Sequence, residues 1–199
     1  MPDYLRKNYD NADRWHSYYR QVREVMEFEP ESVLEVGKGS GLVSTVLKSR
    51  GYALQSLDID PSLNPDILGS VLEIPAGDAV FDIVLCAEVL EHLPFEEFPK
   101  ALSEIRRVAK KGVVLSLPHW GWVFHLRMKV PLLPRLDLFG KLSGLKTHPP
   151  GGEHFWEIGK KGYPLSRVKS EIEKAGFLVR RCYMDADAPY HRFFILDKR

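Results

Sequence analysis

The run Ser32-Val33-Leu34-Glu35-Val36-Gly37-Lys38-Gly39-Ser40-Gly41 decides the fold of this chain. Its first half is a short apolar stretch that is typical of a strand, and its second half is a glycine-rich turn. The next residues, 42–50, have the apolar spacing of a helix. Because a strand that enters a helix through a tight turn is the building unit of parallel sheets, we predict an α/β fold with a doubly wound, Rossmann-like sheet.

The same alternation continues along most of the chain. The further predicted strands cover residues 52–58, 66–71, 81–86, 113–117, 177–184 and 191–196, and the predicted helices cover residues 11–28, 42–50, 95–109 and 166–175. Lys110, Lys111 and Gly112 are expected to close the third helix, as cations and a C-terminal glycine do. The link 185–189 is too short for a parallel crossover, so the last two strands are predicted to pair antiparallel.

Composition places the chain among ordinary globular proteins. Its 199 residues are 44% hydrophobic and 28% charged, which predicts one domain over residues 1–199. No signal-peptide pattern is present and no run of about 18 apolar residues occurs, so a cytoplasmic location is expected. Cys86 and Cys182 are too far apart for a redox pair or a zinc ribbon.

Charge is distributed unevenly along the chain. The net charge is +1, which argues against a polycation that coats nucleic acid. Residues 1–103 nevertheless hold 9 Lys and Arg against 18 Asp and Glu, whereas residues 104–181 hold 16 against 6. The basic stretch is the only support in the sequence for an RNA or protein partner.

Residues 118–156 interrupt the alternation of strands and helices. They contain four of the seven histidines and a strip in which apolar and basic residues are interleaved. The strip comprises Trp122, Val123, Leu126, Met128, Val130, Leu132, Leu133, Leu136 and Leu138 with Arg127, Lys129, Arg135 and Lys141. Such a segment can be a substrate lid, a membrane-surface contact through residues 118–146, a partner interface, or a helical cap packed on its own domain. With a cap helix within residues 1–30, a helical lid over the acceptor site is expected.

The glycine turn and a later carboxylate together indicate a nucleotide-like ligand. Glycines at a helix N-terminus let the backbone approach a ligand closely. Asp58 follows Gly41 by seventeen residues, at the end of the next predicted strand, where a carboxylate can accept hydrogen bonds from both ribose hydroxyls. A dinucleotide fingerprint would need glycine at position 42, where this chain has Leu42, so a nicotinamide enzyme is disfavoured.

These residues resemble the class I S-adenosylmethionine-dependent methyltransferases of the small-molecule type, and the resemblance extends over residues 32–196. Four segments carry it: the first motif at 33–41, the ribose-binding loop at 57–60, the fourth strand at 81–86 and the segment before strand five at 107–112. The resemblance implies a seven-stranded sheet whose last strand is reversed. It also implies S-adenosylmethionine as the cofactor.

The resemblance further implies which residues hold the cofactor. The backbone of the glycine turn would flank its amino-acid end, Asp58 its ribose and Ile59 its adenine. The full set of implied cofactor-binding residues is Glu35, Gly37, Lys38, Gly39, Gly41, Asp58, Ile59, Val71, Leu72, Cys86 and Ala87.

A second resemblance concerns the acceptor. The segment Cys86-Ala87-Glu88-Val89-Leu90-Glu91-His92-Leu93 is similar to one in ubiquinone-pathway O-methyltransferases and, more distantly, in small-RNA 2′-O-methyltransferases. In those groups two glutamates, a histidine and a later histidine hold a divalent metal. The resemblance thus implies Glu88, Glu91, His92 and His154 as ligands, which requires that residues 88–92 begin a helix and share one face.

A metal-free alternative stays open. Glu88 would then contact the acceptor or the cofactor's amino group, and His119 or His154 would act as the base. We therefore expect a methyltransferase that acts on a small apolar or anionic acceptor, with O-methylation favoured. The alternatives are an RNA or protein methyltransferase and a cofactor-binding module without catalysis, the last being favoured if the insert fills the acceptor side.

Overall fold

A seven-stranded mixed sheet organises the structure, a computed structural model that describes residues 4, 9–131, 134, 136–144, 146–149 and 152–199. The strands are β1 (Ser32–Val36), β2 (Ala53–Asp58), β3 (Ile67–Leu68), β4 (Phe81–Ala87), β5 (Ala109–Pro118), β6 (Trp122–Met128), β7 (Leu136–Leu142), β8 (Phe177–Asp185) and β9 (Ala188–Lys198). The sheet order is β3-β2-β1-β4-β5-β9-β8, and β6 and β7 form a separate hairpin. Strand β9 runs antiparallel to both of its neighbours, whereas the other neighbouring pairs are parallel. The predicted mostly parallel sheet with a reversed last strand is confirmed.

Helices cover both faces of the sheet. They are α1 (Ala12–Met26), α2 (Leu42–Ser49), α3 (Phe98–Val108) and α4 (Leu165–Lys174). The period of two in β1 divides its side chains between two core clusters: Val33 packs with Leu47 of α2, and Leu34 packs with Leu102 of α3. All four side chains are fully buried. The sheet is thus doubly wound, as predicted, and its loops after β1, β2, β4 and β5 meet at one edge.

The third predicted helix is wrong at both ends. Residues Phe95–Glu97 form a separate 3₁₀ turn, and α3 begins at Phe98. Lys110, Lys111 and Gly112 do not close the helix but lie within β5. A Cβ atom at Gly112 would stand 2.3 Å from the carbonyl oxygen of Leu196, so this glycine permits the close approach of β9. The predicted strand 66–71 is also shorter, because the chain turns back at Ser70, which bridges to Glu73.

The expected helical insert is wrong as well. The segment after β5 contains the antiparallel hairpin of β6 and β7, with Trp122 opposite Leu142 and Met128 opposite Leu136. The large apolar residues of β6 recur every second position, which is the period of a strand and not of a helix. Leu132, Leu133 and Arg135 of the predicted strip lie outside the described residues.

Within the part of the chain that the structure describes, no helix is both long and apolar enough to span a bilayer. The predicted N-terminal helix is present as α1, and the Asn11 side chain caps it by accepting a hydrogen bond of 2.9 Å from the backbone N–H of Arg14. Of the cap predicted within residues 1–30, residues 1–3 and 5–8 lie outside the described residues.

Candidate active site

A cavity of about 370 Å³ lies at the sheet edge where β1 and β4 end. Its walls come from the turn after β1, the turn after β4, the start of the chain through α1, residues 153 and 154 of the insert, and the beginning of β9. This is the edge at which open α/β sheets bind ligands. The cavity joins the glycine turn to a cluster of carboxylates and histidines.

The glycine turn needs glycine for a steric reason at its first position. Gly37 has φ of +81°, and a Cβ atom there would lie 2.4 Å from the Cγ2 atom of Val89 in the turn after β4. The backbone N–H of Gly37 donates to Leu57 at 2.8 Å, which fixes the start of the turn against β2. The turn therefore packs closely against β2 and the turn after β4, and its residues Gly37, Lys38 and Gly39 line the cavity.

Asp58 connects the turn after β1 with the turn after β2. Its carboxylate accepts hydrogen bonds from the backbone N–H groups of Lys38, at 2.8 Å, and of Asp60, at 3.0 Å. The Lys38 ammonium group donates in turn to the carbonyl oxygens of Leu63, at 2.7 Å, and Asn64, at 2.5 Å. The two turns are thus held as one unit, with the carboxylate at their junction.

Glu35 closes the bottom of the cavity next to the glycine turn. Its side chain is buried, and the Ser44 hydroxyl of α2 donates a hydrogen bond to it. Burial raises the pKa of Glu35 to about 7, against the hydrogen bond from Ser44 and the charge of Lys38, which lower it. A cationic ligand group beside Glu35 would favour its ionised form.

The structure places the predicted cofactor residues unequally. Glu35, Gly37, Lys38, Gly39 and Ala87 line the cavity, whereas Gly41, Asp58, Ile59, Val71, Leu72 and Cys86 do not. The Cys86 side chain is fully buried and the Ile59 side chain is 66% exposed.

Tyrosines from the start of the chain form the outer wall. Tyr4, Tyr9 and Tyr18 line the cavity, and the Tyr4 ring lies 3.6 Å from the position of a Cβ atom at Gly39. Burial, with the nearby hydroxyl of Tyr9 and carboxylate of Asp58, raises the pKa of Tyr4 to about 12. Of the large aromatic residues in α1, Tyr18 lines the cavity, while Trp15 and Tyr19 are more than half exposed.

Glu88 and His191 form a polar pair at the far end of the cavity. Glu88 directly follows β4 with φ of +55°, and its carboxylate accepts a hydrogen bond of 2.8 Å from the Ser116 hydroxyl. The other carboxylate oxygen lies 3.3 Å from Nδ1 of His191. His191 and its neighbour Tyr190, which were not predicted from the sequence, line the cavity from β9. Only their place at the start of β9 could have indicated a role in the site, because a strand that runs antiparallel beside β5 brings its first residues to the ligand-binding edge.

Three of the four predicted metal ligands meet, and Glu88 does not join them. One ligand atom each from Glu91, His92 and His154 lies within 4.8 Å of the others. Residues Leu90–His92 form a 3₁₀ turn, so the helical face that would have added Glu88 does not exist. This part of the prediction is corrected: Glu88 contacts Ser116 instead.

The carboxylate of Glu91 is fully buried, and both of its oxygens lack a hydrogen-bond partner among the described residues. Burial, with the charge of Glu88, raises the pKa of Glu91 well above its usual value. His154 lies beside it, with Nε2 at 3.9 Å from Glu91 and Nδ1 at 3.2 Å from Glu157. An unpartnered buried carboxylate facing two imidazoles is a donor set that suits a divalent ion.

His119 does not line the cavity. It is buried after β5, and its Nδ1 accepts a hydrogen bond of 2.7 Å from the guanidinium of Arg192. Burial, with the charges of Arg192 and Lys141, lowers the pKa of His119 to about 3. The geometry disfavours the role of a catalytic base that the sequence suggested for it.

The order of the sheet and the place of the cavity agree with the resemblance to the class I S-adenosylmethionine-dependent methyltransferases. Residues 34–117, less than half of the chain, match the family model described as a methyltransferase domain. Over 125 residues it is 28% identical to the ubiquinone biosynthesis O-methyltransferase of Rickettsia bellii, covering 56% of this chain and 48% of that protein. Over 95 residues it is 28% identical to the malonyl-[acyl-carrier protein] O-methyltransferase of Serratia marcescens, covering 43% and 36%.

Comparison with solved structures supports the same fold. The magnesium protoporphyrin IX methyltransferase of Synechocystis PCC 6803, solved with bound S-adenosylhomocysteine, superposes with a TM-score of 0.68 at 15% identity, covering 99% of this chain and 94% of that one. The chain spans about half the length or less of the two curated relatives named above.

Proposed function

We propose that the protein transfers the methyl group of S-adenosylmethionine to a hydroxyl oxygen of a small acceptor. The observation that carries the proposal is the continuity of the cavity, which runs from the glycine turn to the polar pair Glu88 and His191. A cofactor held on the turn would direct its methyl group along the cavity toward these side chains. The acceptor would lie between them.

The chain's own contribution is mainly positioning. The methyl group of a sulfonium is already activated, so the rate depends on holding the acceptor in line and excluding water. Tyr9 and Tyr18 cover the cavity from outside, and Glu35 would receive the ammonium group of the cofactor. Glu88, 3.3 Å from Nδ1 of His191, would orient this ring, and the ring would accept the hydroxyl proton of the acceptor.

A divalent ion is the second way to prepare the hydroxyl. Glu91, His92 and His154 would hold it, and the buried, unpartnered carboxylate of Glu91 fits that role. When bound, such an ion would lower the pKa of an acceptor hydroxyl next to it. Without the ion, His154 is the other candidate base in the cavity.

Whether an ion is used is decided by dialysis against a chelator followed by calorimetric titration with Mn²⁺ or Zn²⁺. One site that is lost in Glu91→Gln, and activity restored by that ion, would establish the metal. Full activity after chelation, with no binding, would eliminate it and leave His191 and His154 as bases. Glu96→Gln, an exposed glutamate outside the cavity, is the matched control.

The size of the cavity favours a small molecule as the acceptor over RNA or protein. About 370 Å³ is within the range for small-ligand sites, and it has to admit the reacting part of the cofactor as well. The decisive test is methyl transfer from labelled cofactor into cell-extract fractions of small molecules, lipid, RNA and protein. Label in the small-molecule or lipid fraction supports the proposal, and label only in RNA or protein would refute it.

A further inference from the structure

The hairpin of β6 and β7 is amphipathic, and its apolar face is turned to solvent. Side chains alternate between the two faces of a strand, and the register places Trp122 opposite Leu142 and Leu126 opposite Leu138. One face is therefore made entirely of apolar residues and one glycine: Trp122, Phe124, Leu126, Met128, Leu136, Leu138, Gly140 and Leu142. The exposed fraction of their large side chains ranges from 38% for Leu136 to 63% for Phe124.

The opposite face carries polar groups that attach the hairpin to the body of the protein. The Lys141 ammonium group donates to the carbonyl oxygens of His119 and of Pro189, the latter at 2.6 Å. Arg127 pairs with Asp137 across the hairpin, at 3.1 Å, and with Asp187 in the turn between β8 and β9, at 2.9 Å. These contacts fix the orientation of the hairpin, so its apolar face points away from the body of the protein.

We propose that this apolar face docks on an anionic lipid bilayer. Large apolar side chains with an aromatic residue among them enter the boundary between headgroups and acyl chains, while nearby cations are attracted to anionic lipid. Residues 118–149 contain five Lys and Arg and a single acidic residue, Asp137, and the cations Lys129 and Lys146 are exposed. The exposed cations and the exposed apolar side chains thus both favour an anionic bilayer as the partner.

A second copy of the chain fits this face less well. A two-fold pairing of the hairpins would bring the same cations of both copies together. An anionic bilayer attracts those cations instead.

The test is sedimentation of the full chain with vesicles, without cofactor or acceptor, so that its outcome is independent of the proposed enzymatic function. We expect binding to vesicles of phosphatidylcholine mixed with phosphatidylglycerol, and weaker binding to phosphatidylcholine alone or at high salt. The variant Phe124→Ser/Leu126→Ser should lose binding by roughly tenfold or more. Lys129→Glu/Lys146→Glu should bind less to the anionic vesicles.

The matched control is Leu68→Ser/Leu178→Ser, which changes two exposed leucines on the edge strands β3 and β8. It should bind like the unmodified protein, and circular dichroism should show that both double variants are folded. No binding to anionic vesicles, or equal binding by Phe124→Ser/Leu126→Ser, would overturn the proposal. A dimer in sedimentation velocity that this variant abolishes would assign the face to a second copy instead, and would overturn it too.

Discussion

At the scale of single residues, Glu35 links the stability of the protein to pH. Its pKa rises from an ordinary 4.5 to about 7 because the carboxyl group is buried, in spite of the hydrogen bond from Ser44. The folded state therefore binds this proton more tightly than the unfolded state does. Stability that is present at pH 4.5 is lost as the pH rises to 7, by about 3 kcal/mol at most.

We expect Glu35→Gln to remove this loss. The difference in unfolding free energy between the variant and the unmodified protein should grow between pH 4.5 and 7.5 and then level off. Urea unfolding of the cofactor-free protein at a series of pH values measures it. A difference that is constant with pH would contradict the assignment, and Glu96→Gln, which changes an exposed carboxylate, serves as the control.

Gly37 tests the shape of the turn after β1. Both Gly37→Ala and Gly51→Ala place a side chain at positive φ, but only the former drives a Cβ atom into Val89. Among the described residues, no atom outside the chain neighbours of Gly51 lies within 4 Å of a Cβ atom at that position. Each substitution costs about 1 kcal/mol in backbone strain. We expect Gly37→Ala to weaken the affinity for S-adenosylhomocysteine by at least roughly tenfold, since 1.4 kcal/mol corresponds to that factor, and Gly51→Ala to leave it unchanged. Equal affinities in calorimetry would show that the turn does not carry the cofactor.

At the scale of elements, the sequence was sufficient where local pattern and tertiary packing agree. The strand, turn and helix from Ser32 to Ser49 were predictable, because an apolar run, glycines and helical spacing follow one another within one unit. It was not sufficient where a contact between residues far apart in the sequence determines the local structure. Gly112 has the local signature of a helix end, yet its approach to Leu196 places it in β5. His191 has no local signature of function and reaches the cavity only through the pairing of β9.

The sequence of the insert is compatible with the periodicity of a helix and with that of a strand. Its apolar residues fit either a helix or a strand over short windows, and the polar face of the hairpin is recognisable only once its contacts with Pro189 and Asp187 are known. Of the predicted lid, the hairpin does not line the cavity, whereas Glu153 and His154 do. We therefore expect any cover over the acceptor to come from Tyr4, Tyr9 and α1 and from the short segment around His154.

Hydrogen exchange should separate these parts. With saturating S-adenosylhomocysteine, we expect slower exchange in residues 9–18 and 152–157, since their side chains surround the cavity. The hairpin residues 122–142 should exchange at the same rate with and without it. Protection confined to the hairpin, or none in the first two segments, would contradict this assignment of the lid.

At the scale of the whole molecule, the proposed activity requires that the cavity beside the glycine turn binds S-adenosylmethionine. The two proposed tasks are then separate: the cavity would hold the cofactor and the acceptor, and the outward face of the hairpin would dock on the bilayer. Asp58, which joins the turns after β1 and β2, is the residue through which the first of these is most directly tested.

The measurement is a calorimetric titration of the full chain with S-adenosylmethionine, S-adenosylhomocysteine and NADH, repeated with Asp58→Ala. We predict one site that binds both sulfur compounds and no binding of NADH. The affinity should be at least roughly tenfold lower in Asp58→Ala, because this variant loses the hydrogen bonds that hold the turns after β1 and β2 together, and a lost charged hydrogen bond costs about 1.5–3 kcal/mol. Asp60→Asn, which alters the next acidic residue along the same loop, should bind like the unmodified protein. Binding of NADH without binding of either sulfur compound would show that the cavity is not a site for S-adenosylmethionine.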